Sequence, residues 1–399
     1  IEKFGSMQAL REMTARYTGY ADEKYDLYDL ATQILLTAFS AIGDETVLSG
    51  LEKFLSPEHQ PACYAFIDEW NASAEQEKLF EIANDITERM RLTERLEKVD
   101  TAILMQSDSL PCIDAVIIER FLQEIAENVI KTEEILNVTE SRRTAKWYNR
   151  YAYLYDGLYY IAKMQEFHYA HITGFHFGTE KELWDSYCKE LYWMDTYYRR
   201  LHMDFRKSLF NTLGTLDDLF KSAVVTAEHL YQNWYLSELN GSWNSLIKES
   251  VADGFSQNGI LQQDDFYRRV VQPIARESRV FVIISDALRY EVATELTEKL
   301  LRETNGTAKQ SAMQSVFPSI TKFGMAALLP HKALTITDSM KMFCDEMPTD
   351  GTENRDKILK RTNPKNCAVT YETLLTMKQA QRRELVSGAD VVYIYHNTI

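Results

Sequence analysis

At 399 residues the chain is too long for one ordinary hydrophobic core, and about 100 to 200 residues per domain predicts two or three domains. Its 44 Lys and Arg against 59 Asp and Glu leave a formal charge of −15, which repels polyanions and argues against direct nucleic-acid binding. With 45% hydrophobic and 26% charged residues, and no apolar run near the roughly 18 to 20 needed to cross a bilayer, it reads as globular, cytoplasmic and free of membrane.

The chain starts at Ile1 and stops at Ile399 just after an apolar run, and so reads as part of a longer protein. Cys63, Cys112, Cys188, Cys344 and Cys367 are scattered, with no CxxC pair, and are expected to be buried reduced thiols.

Residues 1–270 are expected to be helical, with a subdomain split near 110–140. Tyr28, Leu30, Ile34, Leu35 and Phe39 form one amphipathic stretch, and Phe80, Ile82, Ile86 and Met90 another. Ser56-Pro57 has the form of a helix start. No proline interrupts the span between Pro111 and Pro273, where helical spacing recurs at Ile117, Phe121, Ile125 and Ile130, and again at Leu209, Leu213, Leu216 and Leu219. Residues 141–240 hold 23 of the 47 aromatic residues, which suit inter-helix packing better than a base- or peptide-binding platform. Gly241, Gly254 and Gly259 mark a looser connection before a last helix around Asp264–Val271.

After Pro273 the pattern changes. The β-branched run Val280–Ile284 reads as a strand buried on both faces of a parallel sheet, and Leu288, Val292, Leu296 and Leu300 follow at helical spacing. A helix-like stretch from Tyr371 to Val386 precedes a second apolar run, Val391–Tyr395. The fold class is therefore α + α/β: a long helical region followed from 271 to 399 by an α/β domain with a mainly parallel sheet. Such sheets place their chemistry at the carboxyl ends of the strands.

Asp286 stands directly after the first strand, where a carboxylate faces the crevice that binds metals and phosphates. An N-cap on the next helix is an equally good explanation of it. Pro318-Ser319-Ile320-Thr321 opens a short helix of small residues, whose free N–H groups suit a phosphoryl oxygen. The Thr321 hydroxyl is a nucleophile if a metal lowers its pKa, but taken alone Pro-Ser-x-Thr is better read as a helix start with a capping hydroxyl. His331 and the group His168, His171 and His176 read as structural, and Pro348–Arg355 as a turn from which Arg355 is a secondary candidate for a phosphate contact.

Together these segments are more specific than any one of them. Ile284-Ser285-Asp286-Ala287-Leu288-Arg289-Tyr290-Glu291, the run Phe317–His331 and Tyr393-Ile394-Tyr395-His396-Asn397-Thr398-Ile399 resemble three successive motifs of the PglZ family. That family is the phosphatase-like component of bacteriophage exclusion systems, within the alkaline phosphatase superfamily. The resemblance implies that 271–399 is the first part of such a domain, incomplete at its C-terminal end. It implies Asp286 as a metal ligand and Thr321 as nucleophile and ligand, with Ser319 the second candidate nucleophile. His396 is a further metal candidate, in a stretch that usually continues into an acidic ligand. Two divalent metal ions, zinc by analogy, would act in the full site on a phosphate-ester substrate, a phosphomonoester or phosphodiester. The implied partners are other proteins of a phage-defence complex, docking on the helical region. Arg289 and Glu291 flank Asp286 without a catalytic assignment. The alternative is a non-catalytic scaffold that keeps the fold. On either reading, this stretch alone is expected to bind metal weakly and to leave a sheet edge and apolar surface uncovered.

Overall fold

The computed structural model describes residues 6–396 apart from 23, 211–212 and 249–258. The chain forms two compact units, one from Ile1–Thr173 with Tyr197–Ser237 and the other from Gly174–Thr196 with Glu238–Ile399. The position expected for a boundary, 270, lies inside the second unit.

The first unit is helical. Leu27–Phe39 is started by Asp26, whose carboxylate accepts from the amides of Tyr28 and Asp29. Pro57 opens a short 3-10 turn ahead of the helix Gln60–Asn71, and Pro111 sits in the first turn of Pro111–Ala126, where its missing donor costs nothing. Ile117, Phe121 and Ile125 fall on the buried side of that helix, whereas Ile130 lies beyond its end. The series from Leu209 to Leu219 is not one helix: Tyr192–Ser208 ends before it and Thr215–His229 starts within it. Leu209 is correspondingly 66% exposed, so its spacing to Leu213 served no common face.

The aromatic residues of this unit pack. Tyr151, Tyr153 and Tyr155 are buried along Tyr148–Ala170, and Tyr198 stacks on Tyr231 with ring centroids 3.7 Å apart. A polar network closes the same core: Arg142 and Asp114, 2% and 0% exposed, pair at 2.7 Å, and Tyr155 donates to the same carboxylate.

In the second unit Gly241 lies inside the helix Ser237–Ile247 rather than in a linker, since one glycine costs a helix only about 1 kcal/mol. Gly254 is outside the described residues, and Gly259 takes a left-handed φ of 80°. The expected helix around Asp264–Val271 is instead a 3-10 turn at Gln263–Asp265 and a π turn at Tyr267–Val271, followed by Gln272–Ala275. Pro273 lacks the N–H that regular α-helix pairing through this point requires.

A parallel three-stranded sheet follows, in the order β1 (Val280–Ser285), β6 (Val391–His396), β5 (Cys367–Thr370). β1 and β6 run in register from Val280 opposite Val391 to Ser285 opposite His396. The helix Tyr290–Glu303 returns from β1, and Tyr371–Thr376 and Gln379–Leu385 connect β5 to β6. This is the expected α + α/β class with a mainly parallel sheet. β6 is the interior strand, with Tyr393 and Tyr395 buried. β1 is not buried on both faces, for Val282 points into the core while Phe281 and Ile283 are 51% and 66% exposed.

A small antiparallel sheet, β2 (Leu334–Ile336), β3 (Met342–Cys344) and β4 (Met347–Pro348), was not foreseen. In place of the turn expected over Pro348–Arg355, β4 ends at Pro348 and the helix Gly351–Lys360 begins three residues later with φ of 77° at the glycine. Among the described residues no helix is long and apolar enough to cross a membrane. Four of the five cysteines are buried and Cys188 is half-buried; all five are free thiols, and burial pushes Cys112 and Cys344 up to about 12.

Candidate active site

The carboxyl end of β1 turns sharply. Asp286 donates its amide to the carbonyl of His396 at 3.2 Å, and Ala287 follows at φ 63°, a conformation costly for a residue with a Cβ. The turn ends the strand and directs Asp286 off the sheet edge. Its carboxylate accepts from the Ala287 amide at 3.1 Å. It does not cap the next helix, whose N-cap is Arg289 without any side-chain cap.

Thr321 opens the helix Thr321–Ala327, which has Ile320 at the N-cap position and no side-chain cap. Capping, the bland explanation for Asp286, Ser319 and Thr321 alike, is therefore not how these side chains are used. Instead the three line one cavity of about 360 Å³, together with Ser285, Gln263 and Gly324. Residues 35 positions apart thus border one cavity at the carboxyl edge of the sheet. Thr321 is exposed and Asp286 half-buried.

The wall opposite is built by a segment to which sequence reasoning assigned no role. Gln262 and Gln314 form a parallel bridge, with Gln263 and Gln314 each donating an amide across it at 2.9 and 2.8 Å. The Gln263 side chain then accepts from Val316 at 3.1 Å. A Cβ on Gly324 would lie 3.1 Å from the Gln263 carboxamide, so the small residue lets the helix Thr321–Ala327 approach this clamp. Gln263 carries no catalytic chemistry of its own, and no sequence pattern singled it out.

His396 is brought to the neighbouring strand end. Its Nδ1 lies 2.9 Å from the Ser285 hydroxyl, and its ring meets Tyr371 edge-on at 5.0 Å. It does not line the cavity that holds Asp286 and Thr321. Among the described residues no group of three or more His, Cys, Asp or Glu is placed to hold a metal ion. Asp286, with hydroxyls beside it, is a partial donor set, short of the three or four protein ligands that transition metals usually take.

The remaining candidates are committed elsewhere. Arg289 is held by Glu291 at 3.0 Å and Asp195 at 3.4 Å, carboxylates that are themselves buried. Arg355 donates to the Thr349 carbonyl at 3.0 Å and lies over the Tyr395 ring, so the phosphate contact considered for it is replaced by a structural one. His331 donates from Nδ1 to the Leu329 carbonyl, and His171 likewise to Phe167.

Residues 266–399 match the family described as the BREX system PglZ alkaline phosphatase-like domain. This part of the chain is similar to the PglZ family. The whole chain is 32% identical over 413 residues to the alkaline phosphatase-like protein BrxZ of Escherichia coli O9:H4 (strain HS), spanning 100% of this chain and 47% of that one. It is 28% identical over 400 residues to the alkaline phosphatase-like protein PglZ of Bacillus cereus (strain H3081.97), spanning 100% and 46%. The chain thus spans about half the length of the curated relatives it matches. No solved structure matches it. The helical region, outside the matched domain, is shared with both relatives.

Proposed function

We propose that the protein is a metal-dependent phosphohydrolase of a phage-defence system, in which Thr321 attacks a phosphomonoester or phosphodiester beside Asp286. One observation carries this reading: Asp286 and the sequence-distant pair Ser319 and Thr321, none of them capping a helix, line a single cavity at the carboxyl edge of a parallel sheet. That edge is where open α/β sheets bind their ligands.

In the reaction the Thr321 oxygen bonds to phosphorus as the ester P–O bond breaks and the alcohol leaves. Water then cleaves the phosphothreonine to release the phosphate product and restore Thr321; Ser319 is the second candidate hydroxyl. Asp286 supplies anionic charge at the strand end, fixed by the backbone bond to His396, and would hold a divalent ion jointly with the Thr321 hydroxyl. Such an ion, zinc by family resemblance, supplies Lewis-acid stabilisation and lowers the pKa of an oxygen bound to it. His396 orients Ser285 at the strand end and is a candidate ligand for a second ion. A complete site needs more ligands than the described residues bring together. The helical region is a docking surface for other proteins of the defence system. The test is hydrolysis of phosphate mono- and diesters by the full-length protein with zinc, alongside Thr321→Ala and Ser319→Ala. Loss of turnover with Thr321→Ala alone supports the assignment, whereas unchanged turnover in both variants assigns the chemistry elsewhere.

A further inference from the structure

A second and larger cavity, of about 560 Å³, adjoins the candidate site within the same unit. The two share Ile284, Ser285, Leu288, Met313 and Leu328, so the end of β1 forms a common wall between them. Their chemistry differs. The smaller cavity holds the carboxylate and the hydroxyls, while the larger is lined by the rings of Trp184, Tyr187, Phe266 and Tyr290.

Two of these rings, Tyr187 and Tyr290, are held in place. Tyr290 donates to the Cys188 carbonyl at 3.0 Å and packs against Tyr187 with ring centroids 5.8 Å apart. Burial pushes the Tyr290 hydroxyl up to about 12, which keeps it a neutral donor. Tyr187 and Cys188 belong to a π-helical turn, Tyr187–Leu191, a local distortion frequent at functional sites. Gln310 brings a carboxamide to the same wall, anchored by its nitrogen to the Tyr290 carbonyl at 3.3 Å and the Thr294 hydroxyl at 2.9 Å.

We infer that this cavity receives the nucleobase of a nucleotide whose phosphate lies beside Asp286 and Thr321. The inference rests on the phosphohydrolase reading for the phosphate and on the aromatic cavity for the base. A flexible alkyl group would use the apolar surface but not the rigid rings or the fixed amide. A planar heteroaromatic base uses all three, since bases stack on aromatic side chains and hydrogen-bond at their edges. The volume is within the roughly 300–1,000 Å³ of small-molecule pockets. The net charge of −15 favours a single nucleotide or a strand end over a duplex.

The experiment is calorimetric titration of the full-length protein with adenosine 5′-monophosphate and with ribose 5-phosphate, which lacks the base. The expected result is tighter binding of the nucleotide by at least about fivefold, the lower end of what stacking one base contributes. Trp184→Ala should remove most of that preference and leave ribose 5-phosphate binding unchanged. Ala293→Phe, which fills the cavity from the helix Tyr290–Glu303, should do the same should Trp184→Ala fail to fold. Equal binding of the two ligands, no binding of either, or a preference that survives in a folded variant overturns the inference. Thr321→Ala separates the two readings. A nucleotide preference that persists where no form of the protein hydrolyses esters supports the pocket and defeats the hydrolase, and hydrolysis without base preference does the reverse.

Discussion

The helical unit and the sheet-bearing unit satisfy their apolar and polar groups differently. In the first, the long helices enclose their core, and even the charged pair Asp114 and Arg142 is sealed within it. In the second, the interior strand β6 is buried, but its neighbour β1 shows Phe281 and Ile283 to solvent, and Leu296, Leu300 and Leu301 on the following helix are also exposed. The contrast teaches that the two units carry different tolerances. A change inside the helical unit meets a closed core, whereas Phe281 and Ile283 on β1 are more than half exposed.

The largest effect expected from this contrast is at the buried pair. Asp114→Ala leaves the Arg142 guanidinium enclosed without its partner and should destabilise the helical unit by about 3–5 kcal/mol in urea denaturation. A cost below 1 kcal/mol would show that the core admits water. Next is Gly157→Ala, where a Cβ would come within 2.4 Å of the buried Phe220 ring. Overpacking of this kind costs about 1–3 kcal/mol, read in the same experiment. The smallest effect belongs to β1: Ile283→Ala should shift stability by no more than about 0.5 kcal/mol, as surface substitutions do. Ile358→Ala, in the buried part of the same unit, should cost about 2–5 kcal/mol. Equal costs for Ile283 and Ile358 would erase the distinction drawn for β1.

Much of the sheet was legible because its signals are local. The β-branched run at Val280–Ile284 and the apolar run at Val391–Tyr395 announce strands, and Asp286 follows the first directly. The one-sided exposure of β1 was not legible, because burial on a second face depends on what packs there and leaves no mark on the strand itself. The series Leu209–Leu219 misled for a similar reason, since spacing alone does not reveal that one helix stops and another starts inside it. The site was half legible: motif resemblance pointed to Asp286, Ser319 and Thr321, but the Gln263 clamp and the aromatic cavity arise from segments far apart in the chain. No single stretch of sequence contains either. His396 was placed at the correct strand end by its motif, while its hydrogen bond to Ser285 depended on the register of β1 against β6.

The central claim is that Asp286 and Thr321 act together on a phosphate ester. Its most direct test is a double-mutant cycle on kcat/KM of the full-length, zinc-supplied protein, using Asp286→Ala, Thr321→Ala and the combined variant. Groups that act as a unit are strongly non-additive. The account predicts that each single variant loses at least about a thousandfold and that the double variant is no worse than either. Full activity in Thr321→Ala, or losses that simply multiply in the double variant, would contradict it.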